Sequence, residues 1–318
     1  MAIELDDVYQ AAERIAALTF QTPLRLSEWL SSEETNVFLK LETVQPTCSY
    51  KIRGAFNAVQ RAGDGAIADA RLVTASAGNH GRALAYASNV FGLPVVVFID
   101  ARAPRAKVDA IRASGADLRP CEGYDDAERQ AKAFAAGGGG IYISPYSHPD
   151  VIAGAGTIGL ELLEQQPDLD AVVVPIGGGG LVSGIGIAVK ALSPSTRVIG
   201  VEVAASCPFT KSLAAGRLVT IDVGPSLADG LTGNLDPDTI TLEIVRDVVD
   251  DIVVVDEPDL RRSLAGVVTN EHLVIEGAAA AGPAAILSGQ IELKGNVAVI
   301  LTGANIDTAR LIDVLSSA

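Results

Sequence analysis

Large aromatic side chains are scarce in this 318-residue sequence: Phe, Trp and Tyr make up 4% of it, with a single Trp. A core built with so few rings is filled by Val, Ile, Leu and Ala, which suits a parallel sheet covered closely by helices on both faces. Cysteine is as sparse. Cys48, Cys121 and Cys207 stand far apart, odd in number and without a CxxC, so neither a disulfide framework nor a zinc knuckle is expected. The three histidines, His80, His148 and His272, show no ligand spacing, which argues against a catalytic zinc. Positive charge is in deficit, 24 Lys and Arg against 39 Asp and Glu for a formal charge of −15, which speaks against a nucleic-acid or anionic-membrane partner. No apolar run approaches the roughly 18 residues of a spanning helix. The acidic start Met1-Ala2-Ile3-Glu4-Leu5-Asp6-Asp7 does not read as a leader. A soluble, cytoplasmic protein is expected. The P-loop, HExxH and GxSxG signatures are missing as well.

What is present is a regular alternation. Runs rich in Val and Ile predict strands over residues 36–41, 72–74, 95–99, 141–143, 171–174, 198–201, 252–255 and 297–300. Helical patterns lie between them over 6–18, 51–62, 80–91, 104–113, 124–136, 151–165, 181–191, 258–272 and 276–289. Strand–helix alternation with short connections means βαβ units and parallel sheets. Eight or more strands is many for one layer, so the expected fold is α/β, two doubly wound open-sheet domains with a cleft between them. Ligands in such folds sit at the C-terminal ends of strands, on the turns into helices.

Four turns stand out there. Gly177-Gly178-Gly179-Gly180 follows a buried strand and precedes a helix starting near Leu181, so its backbone N–H groups can converge on an anion, most naturally a phosphate. A second run, Gly137 to Gly140, sits at the wrong end of a strand and reads as a helix stop. Gly154-Ala155-Gly156-Thr157-Ile158-Gly159 matches GxGxxG, but no strand directly precedes it, so its glycines are expected to allow close helix packing. Lys51 opens a helix after a Pro/Thr/Ser turn. A cation there opposes the helix dipole, a cost that suits an enzyme needing a neutral, nucleophilic amine. Ser76-Ala77-Gly78-Asn79-His80 makes a polar turn after a third strand. A phosphate cradle, a lysine on a separate turn and this polar turn are together the parts of a pyridoxal phosphate site.

Pro46-Thr47-Cys48-Ser49-Tyr50-Lys51-Ile52-Arg53-Gly54-Ala55, the Ser76–His80 turn, Pro175-Ile176-Gly177-Gly178-Gly179-Gly180-Leu181 and Thr302-Gly303-Ala304-Asn305 resemble the fold-type II pyridoxal phosphate enzymes, which share the tryptophan synthase β-like architecture. The likeness runs from about residue 8 to residue 310 and is greatest to the threonine/serine dehydratase and serine racemase branch. It implies that Lys51 bonds covalently to the cofactor and later acts as base at the substrate α-carbon. It implies Asn79 beside the ring hydroxyl, Gly177 to Gly180 with Leu181 as the phosphate loop, Glu276 near the ring and Thr302 facing the ring nitrogen. Ser76, Ala77, Gly78, Asn79 and His80 would form the substrate-binding turn. It further implies a large cofactor-binding domain of residues 1–64 and 148–318, a small substrate-loop domain of residues 65–147, a small-molecule amino acid as substrate, and a homodimer.

A neutral hydroxyl at Thr302 leaves the ring a weaker electron sink than an acid would, so the leaving group departs soon after the α-proton. That suits β-elimination from L-threonine or L-serine, giving a 2-oxo acid and ammonia. Serine racemase, a dehydratase for 3-hydroxyaspartate or a bulkier hydroxy amino acid, and a β-replacement synthase are the alternatives within the superfamily. An amino-acid-binding protein on the same scaffold is the non-enzymatic one. Cys48 and Tyr50 stand where the resemblance leads to Gly and Phe. Glu202 resembles a cation ligand of many relatives and Ser206 could offer a carbonyl, but Pro208 stands where those relatives often have a carboxylate, which leaves thin coordination for Mg²⁺ or Ca²⁺. Only residues 306–318 follow the last motif, so no C-terminal regulatory domain is expected.

Overall fold

A computed structural model describes residues 3–64 and 71–317. The expected domain boundary at residues 64 and 65 falls at the edge of the segment 65–70, outside the described residues. The strands are β1 (Leu24–Ser27), β2 (Thr35–Leu41), β3 (Leu72–Ala75), β4 (Val95–Asp100), β5 (Asp117–Cys121), β6 (Ile141–Tyr142), β7 (Ala171–Pro175), β8 (Arg197–Val203), β9 (Asp251–Val255) and β10 (Gly295–Leu301). The helices of the first half are α1 (Leu5–Ile15), α2 (Lys51–Asp64), α3 (Asn79–Phe91), α4 (Arg105–Ala113), α5 (Tyr124–Phe134) and α6 (Pro149–Gln165). Those of the second half are α7 (Gly180–Leu192), α8 (Pro208–Ala215), α9 (Thr241–Val248), α10 (Glu257–Gly266), α11 (Ala281–Leu287) and α12 (Thr308–Ser316).

The fold is α/β with two sheets. One has six strands in the order β1-β2-β10-β7-β8-β9, the other four in the order β5-β4-β3-β6. All neighbours are parallel except the edge pair β1 and β2. Side chains alternate between the faces of a strand, and both faces of each sheet are apolar. Ala171 and Val173 of β7 pack in one core with α10 and α11, whereas Val172 and Val174 pack in another with α6 and α7. The small sheet does the same: Leu72, Val95 and Val97 face α2 and α3, while Val73, Ala75, Val96 and Phe98 face α5.

Several elements lie outside the expected set. Strands β1 and β5 are sheet edges; β5, Asp-Leu-Arg-Pro-Cys, carries a proline and two charges that only an edge tolerates. Helices α8, α9 and α12 also lie outside the helical patterns expected from the sequence. The expected helix over 258–272 ends at Gly266 and continues as a wider turn over Val267–Glu271, and that over 276–289 begins as a 3-10 turn, Gly277–Ala280, before α11. The GxGxxG glycines do serve packing. A Cβ on Gly154 would lie 2.6 Å from Gly54 Cα of α2, and one on Gly156 would lie 2.9 Å from the Gly184 carbonyl of α7, so α6 is held between those two helices at backbone distance.

Candidate active site

The C-terminal ends of β2, β3, β7 and β10 bring the four motif turns together. The segment before Lys51 is stitched to the end of β10: Tyr50 N–H donates to the Thr302 carbonyl (3.0 Å), Ala304 N–H to the Cys48 carbonyl (2.9 Å), and Ser49 pairs with Gly303. Lys51 is the first residue of α2, and its Nζ donates to the Pro145 carbonyl at 2.6 Å. The next residue, Tyr146, lays its ring against the glycine loop, where a Cβ on Gly178 would lie 2.2 Å from it. Gly179 has φ +85°, and a Cβ there would lie 2.5 Å from the Phe209 ring; α7 starts at Gly180. Leu181 points into the core beside β7.

Asn79 starts α3. Its Nδ2 donates to both oxygens of Glu276 (2.8 and 2.9 Å), and its Oδ1 accepts from Asn305 Nδ2 (2.7 Å). Asn305 Nδ2 also donates to the Thr47 carbonyl, and Arg82 donates to Asn305 Oδ1. Glu276 sits over Gly303, which has no room for a side chain: a Cβ there would lie 2.7 Å from Glu276 Oε1. Burial pushes the Glu276 carboxyl up to about 7, with the charge of Asp229 adding to the rise and the Asn79 bonds opposing it. In the substrate turn, Ser76 Oγ accepts from Gly78 N–H, and Ala77, Gly78 and Asn79 line a cavity of about 130 Å³ with Arg82, Lys107 and Asn305. The His80 imidazole is turned into the core, Nε2 at 3.3 Å from the Ile143 carbonyl, and burial followed by the charge of Lys51 pushes its pKa down to about 3. Ion pairs link helices beside the four-stranded sheet to loops beside the six-stranded one: Lys107 to Asp229 (2.8 Å), and Lys132 to Asp236 (3.0 Å) and Asp238 (3.5 Å).

Beneath Lys51 lies a buried charge network. Arg53 holds both oxygens of Glu42 and both of Glu161, and Lys40 donates to Glu161, Gln165 and the Thr22 carbonyl. Burial alone would raise the Glu42 pKa, but the Arg53 charge and hydrogen bonds hold it below its usual value. Burial pushes the Lys40 ammonium down despite Glu161.

The residues fit a pyridoxal phosphate. The hydroxyls of Thr302 and Ser183 are buried with no hydrogen-bond partner, one at the end of β10 beside Lys51, the other in the first turn of α7. An unpaired buried hydroxyl is unfavourable, and a ring nitrogen and a phosphate at the α7 N-terminus would satisfy the two. The carboxylate expected to hold a cation is already engaged. Glu202 accepts from Phe209 N–H, Thr210 N–H and Thr210 Oγ1. Burial pushes its carboxyl up against those bonds. The Ser206 hydroxyl bonds Gly233. Among the described residues no group of three or more His, Cys, Asp or Glu could hold a metal ion.

Sequence reasoning passed over Tyr146, Pro145 and Asn305. Pro145 and Tyr146 follow the C-terminal end of β6, so the strand-end rule applied to that short strand would have found them. Asn305 belongs to the Thr302–Asn305 motif, but its hydrogen bonds across the fold leave no mark in the sequence.

The family described as pyridoxal-phosphate dependent enzyme matches residues 15–303. The L-threonine ammonia-lyase of Thermotoga maritima is 37% identical over 312 residues, 96% of this chain and 76% of that protein. Among solved structures, maize serine racemase superposes with a TM-score of 0.91 at 31% identity, covering 100% of this chain and 98% of its own. A threonine deaminase from T.th. gives 0.88 at 36% identity, covering 96% and 99%.

Proposed function

Because the chain belongs to the pyridoxal-phosphate dependent enzyme family, we propose that it deaminates a β-hydroxy amino acid, L-threonine or L-serine first, to a 2-oxo acid and ammonium. When bound, the cofactor supplies a conjugated electron sink that makes the substrate α-hydrogen acidic. Lys51 Nζ would hold the cofactor and, once freed by the incoming substrate amine, would take the α-proton. The N–H groups of Gly177 to Gly180 and Leu181, at the head of α7, bind the phosphate. Thr302 offers its free hydroxyl to the ring nitrogen. Asn79 Nδ2, now shared between the two oxygens of Glu276, turns an amide proton toward the cofactor hydroxyl. Ser76, the backbone N–H groups of Ala77 to His80, and the start of α3 orient the substrate carboxylate. With the β-hydroxyl lost as water, addition of water restores the balance: one amino acid yields one 2-oxo acid and one ammonium.

The observation that carries elimination over racemisation is Ala77. Racemisation needs a proton donor on the face opposite Lys51, and the resemblance places that donor, a serine hydroxyl, at the second position of the Ser76–His80 turn. Here a methyl group lines the cavity. The reading extends to a cytoplasmic homodimer, supported by the unpaired cysteines and the likeness to dehydratases, and among the described residues no helix is long and apolar enough to cross a membrane. It also assigns residues 1–64 and 148–318 to the cofactor and residues 65–147, which contain β3 to β6, to the substrate turn.

The test is release of 2-oxo acid across a panel of β-hydroxy amino acids, with wild-type protein and Lys51→Ala. L-Threonine and L-serine are expected to lead, and the variant to lose turnover and borohydride-fixable cofactor together. Full turnover without Lys51, or no release from any hydroxy amino acid, contradicts the reading.

A further inference from the structure

Glu202 stands at the end of β8, on the same side of the sheet as the glycine loop. It is fully buried, and a buried carboxylate needs compensation from a cation or from directed donors. The chain supplies donors. Helix α8 begins with Pro208, which has no N–H, and Lys211 N–H already bonds the Cys207 carbonyl (3.2 Å). That leaves Phe209 and Thr210 as the first-turn amides without a helical partner, and Cys207 at the N-cap offers them no side-chain bond. Glu202 takes both, Oε1 from Phe209 N–H (2.8 Å) and Oε2 from Thr210 N–H (2.8 Å), with Thr210 Oγ1 also on Oε2 (2.6 Å). Every open donor of the first turn thus ends on one carboxylate, and the helix dipole favours the negative charge there.

This arrangement conflicts with a divalent cation at the same carboxylate. Mg²⁺ and Ca²⁺ take six to eight oxygens in coordination, and structural sites commonly engage several carboxylates. Here both Glu202 oxygens are engaged by the first-turn donors of α8, and position 208 is a buried proline with no side-chain oxygen to offer. The cap also reaches the candidate cofactor loop. Phe209, whose backbone Glu202 holds, is fully buried, and its ring end lies against Gly179, where a Cβ would come within 2.5 Å.

We propose that Glu202 acts as an internal cap that does the structural work of a divalent cation, and that through Phe209 it positions the glycine loop without any metal. The positioning half rests on the reading that this loop holds the cofactor phosphate. The capping half stands without it.

The test uses the holoenzyme. Its unfolding temperature and retained cofactor absorbance are measured after exhaustive chelation with EDTA, then with millimolar CaCl₂ or MgCl₂ added back. Both readouts are expected to stay unchanged. A fall on chelation that either cation restores overturns the proposal. Glu202→Gln keeps the shape but loses one acceptor, so the cofactor dissociation constant should rise on the order of 3- to 10-fold, with no rescue by either cation. Wild-type cofactor affinity in that variant overturns the positioning role. If the variant does not fold, the chelation comparison still decides between cap and cation. A purified protein that retains no pyridoxal phosphate under any condition contradicts the functional reading, while the effect of chelation on unfolding still tests the cap.

Discussion

Arg53 grips Glu42 with two guanidinium nitrogens, Nε and Nη2 each 2.8 Å from a carboxylate oxygen, two residues beyond Lys51. Both side chains are buried, so the pair fixes the first turn of α2, and with it the root of Lys51, to the end of β2. Arg53→Met leaves Glu42 charged and unpaired, and the loss should be about 3–5 kcal/mol in denaturant unfolding. Arg53→Met with Glu42→Gln should recover part of it, because no buried charge is then stranded. A single-variant loss below about 1 kcal/mol, the range of surface pairs, would contradict this placement.

The two glycine runs should respond oppositely to a methyl group. At Gly179 the backbone is left-handed and a Cβ meets Phe209 and Thr241, so Gly179→Ala should weaken both folding and cofactor retention. At Gly137 nothing lies within 4 Å, and Gly137→Ala should leave cofactor content intact with stability equal or up to about 1 kcal/mol higher. Gly139 is no neutral control, because a Cβ there would press into the Phe134 ring at 2.5 Å. Cofactor loss at Gly137 with retention at Gly179 would reverse the assignment of the loops.

Cys48 has φ +55°, a conformation that disfavours any side chain with a Cβ, and it is the position where the family resemblance leads to glycine. Relief of about 1–2 kcal/mol of left-handed strain outweighs the extra chain entropy of glycine. Cys48→Gly should therefore raise the unfolding temperature by roughly 1–2 °C. A fall would mean that the thiol makes a stabilising contact.

His80 gives the stability a definite pH slope. Its folded pKa, about 3, lies below the usual 6.5, so the unfolded chain binds the extra proton between those values. The contribution is fully present above pH 6.5 and is lost as pH falls, by at most about 1.4 kcal/mol per pH unit. Glu276 runs the other way. Its pKa of about 7 against the usual 4.5 means the folded protein binds the proton, so stability falls as pH rises between those values. The two oppose each other between pH 4.5 and 6.5. Unfolding of His80→Gln against wild type should show the wild-type protein losing stability toward acid relative to the variant. Parallel curves would mean the imidazole takes up its proton equally readily in the folded and unfolded chains.

Much of this was legible in the sequence, for particular reasons. The eight Val/Ile runs appear because strands covered on both faces are continuously apolar, and the motif turns appear because glycine, proline and polar residues punctuate them. Strand β5 was hidden because Arg119 and Pro120 suit an edge and break the pattern. The buried set of Lys40, Glu42, Arg53 and Glu161 could not be read at all: charges distant in sequence look exposed until the fold brings them together. In sequence the glycine loop reads as an anion cradle, yet Gly178, Gly179 and Gly180 are also small because Tyr146 and Phe209 press on them. Periodicity reports burial, whereas partners across the fold leave no periodic mark.

The most direct measurement is chiral analysis of the L-serine remaining at half conversion by the wild-type holoenzyme. Ala77 stands at the turn position where the resemblance puts the proton donor opposite Lys51, and the lack of a general acid there would slow reprotonation on the order of 10²–10⁴-fold. The account predicts 2-oxo acid accumulating while the residual serine stays in the L form. Substantial D-serine at half conversion would contradict it, because some other group would then be delivering a proton to the face that Ala77 leaves bare.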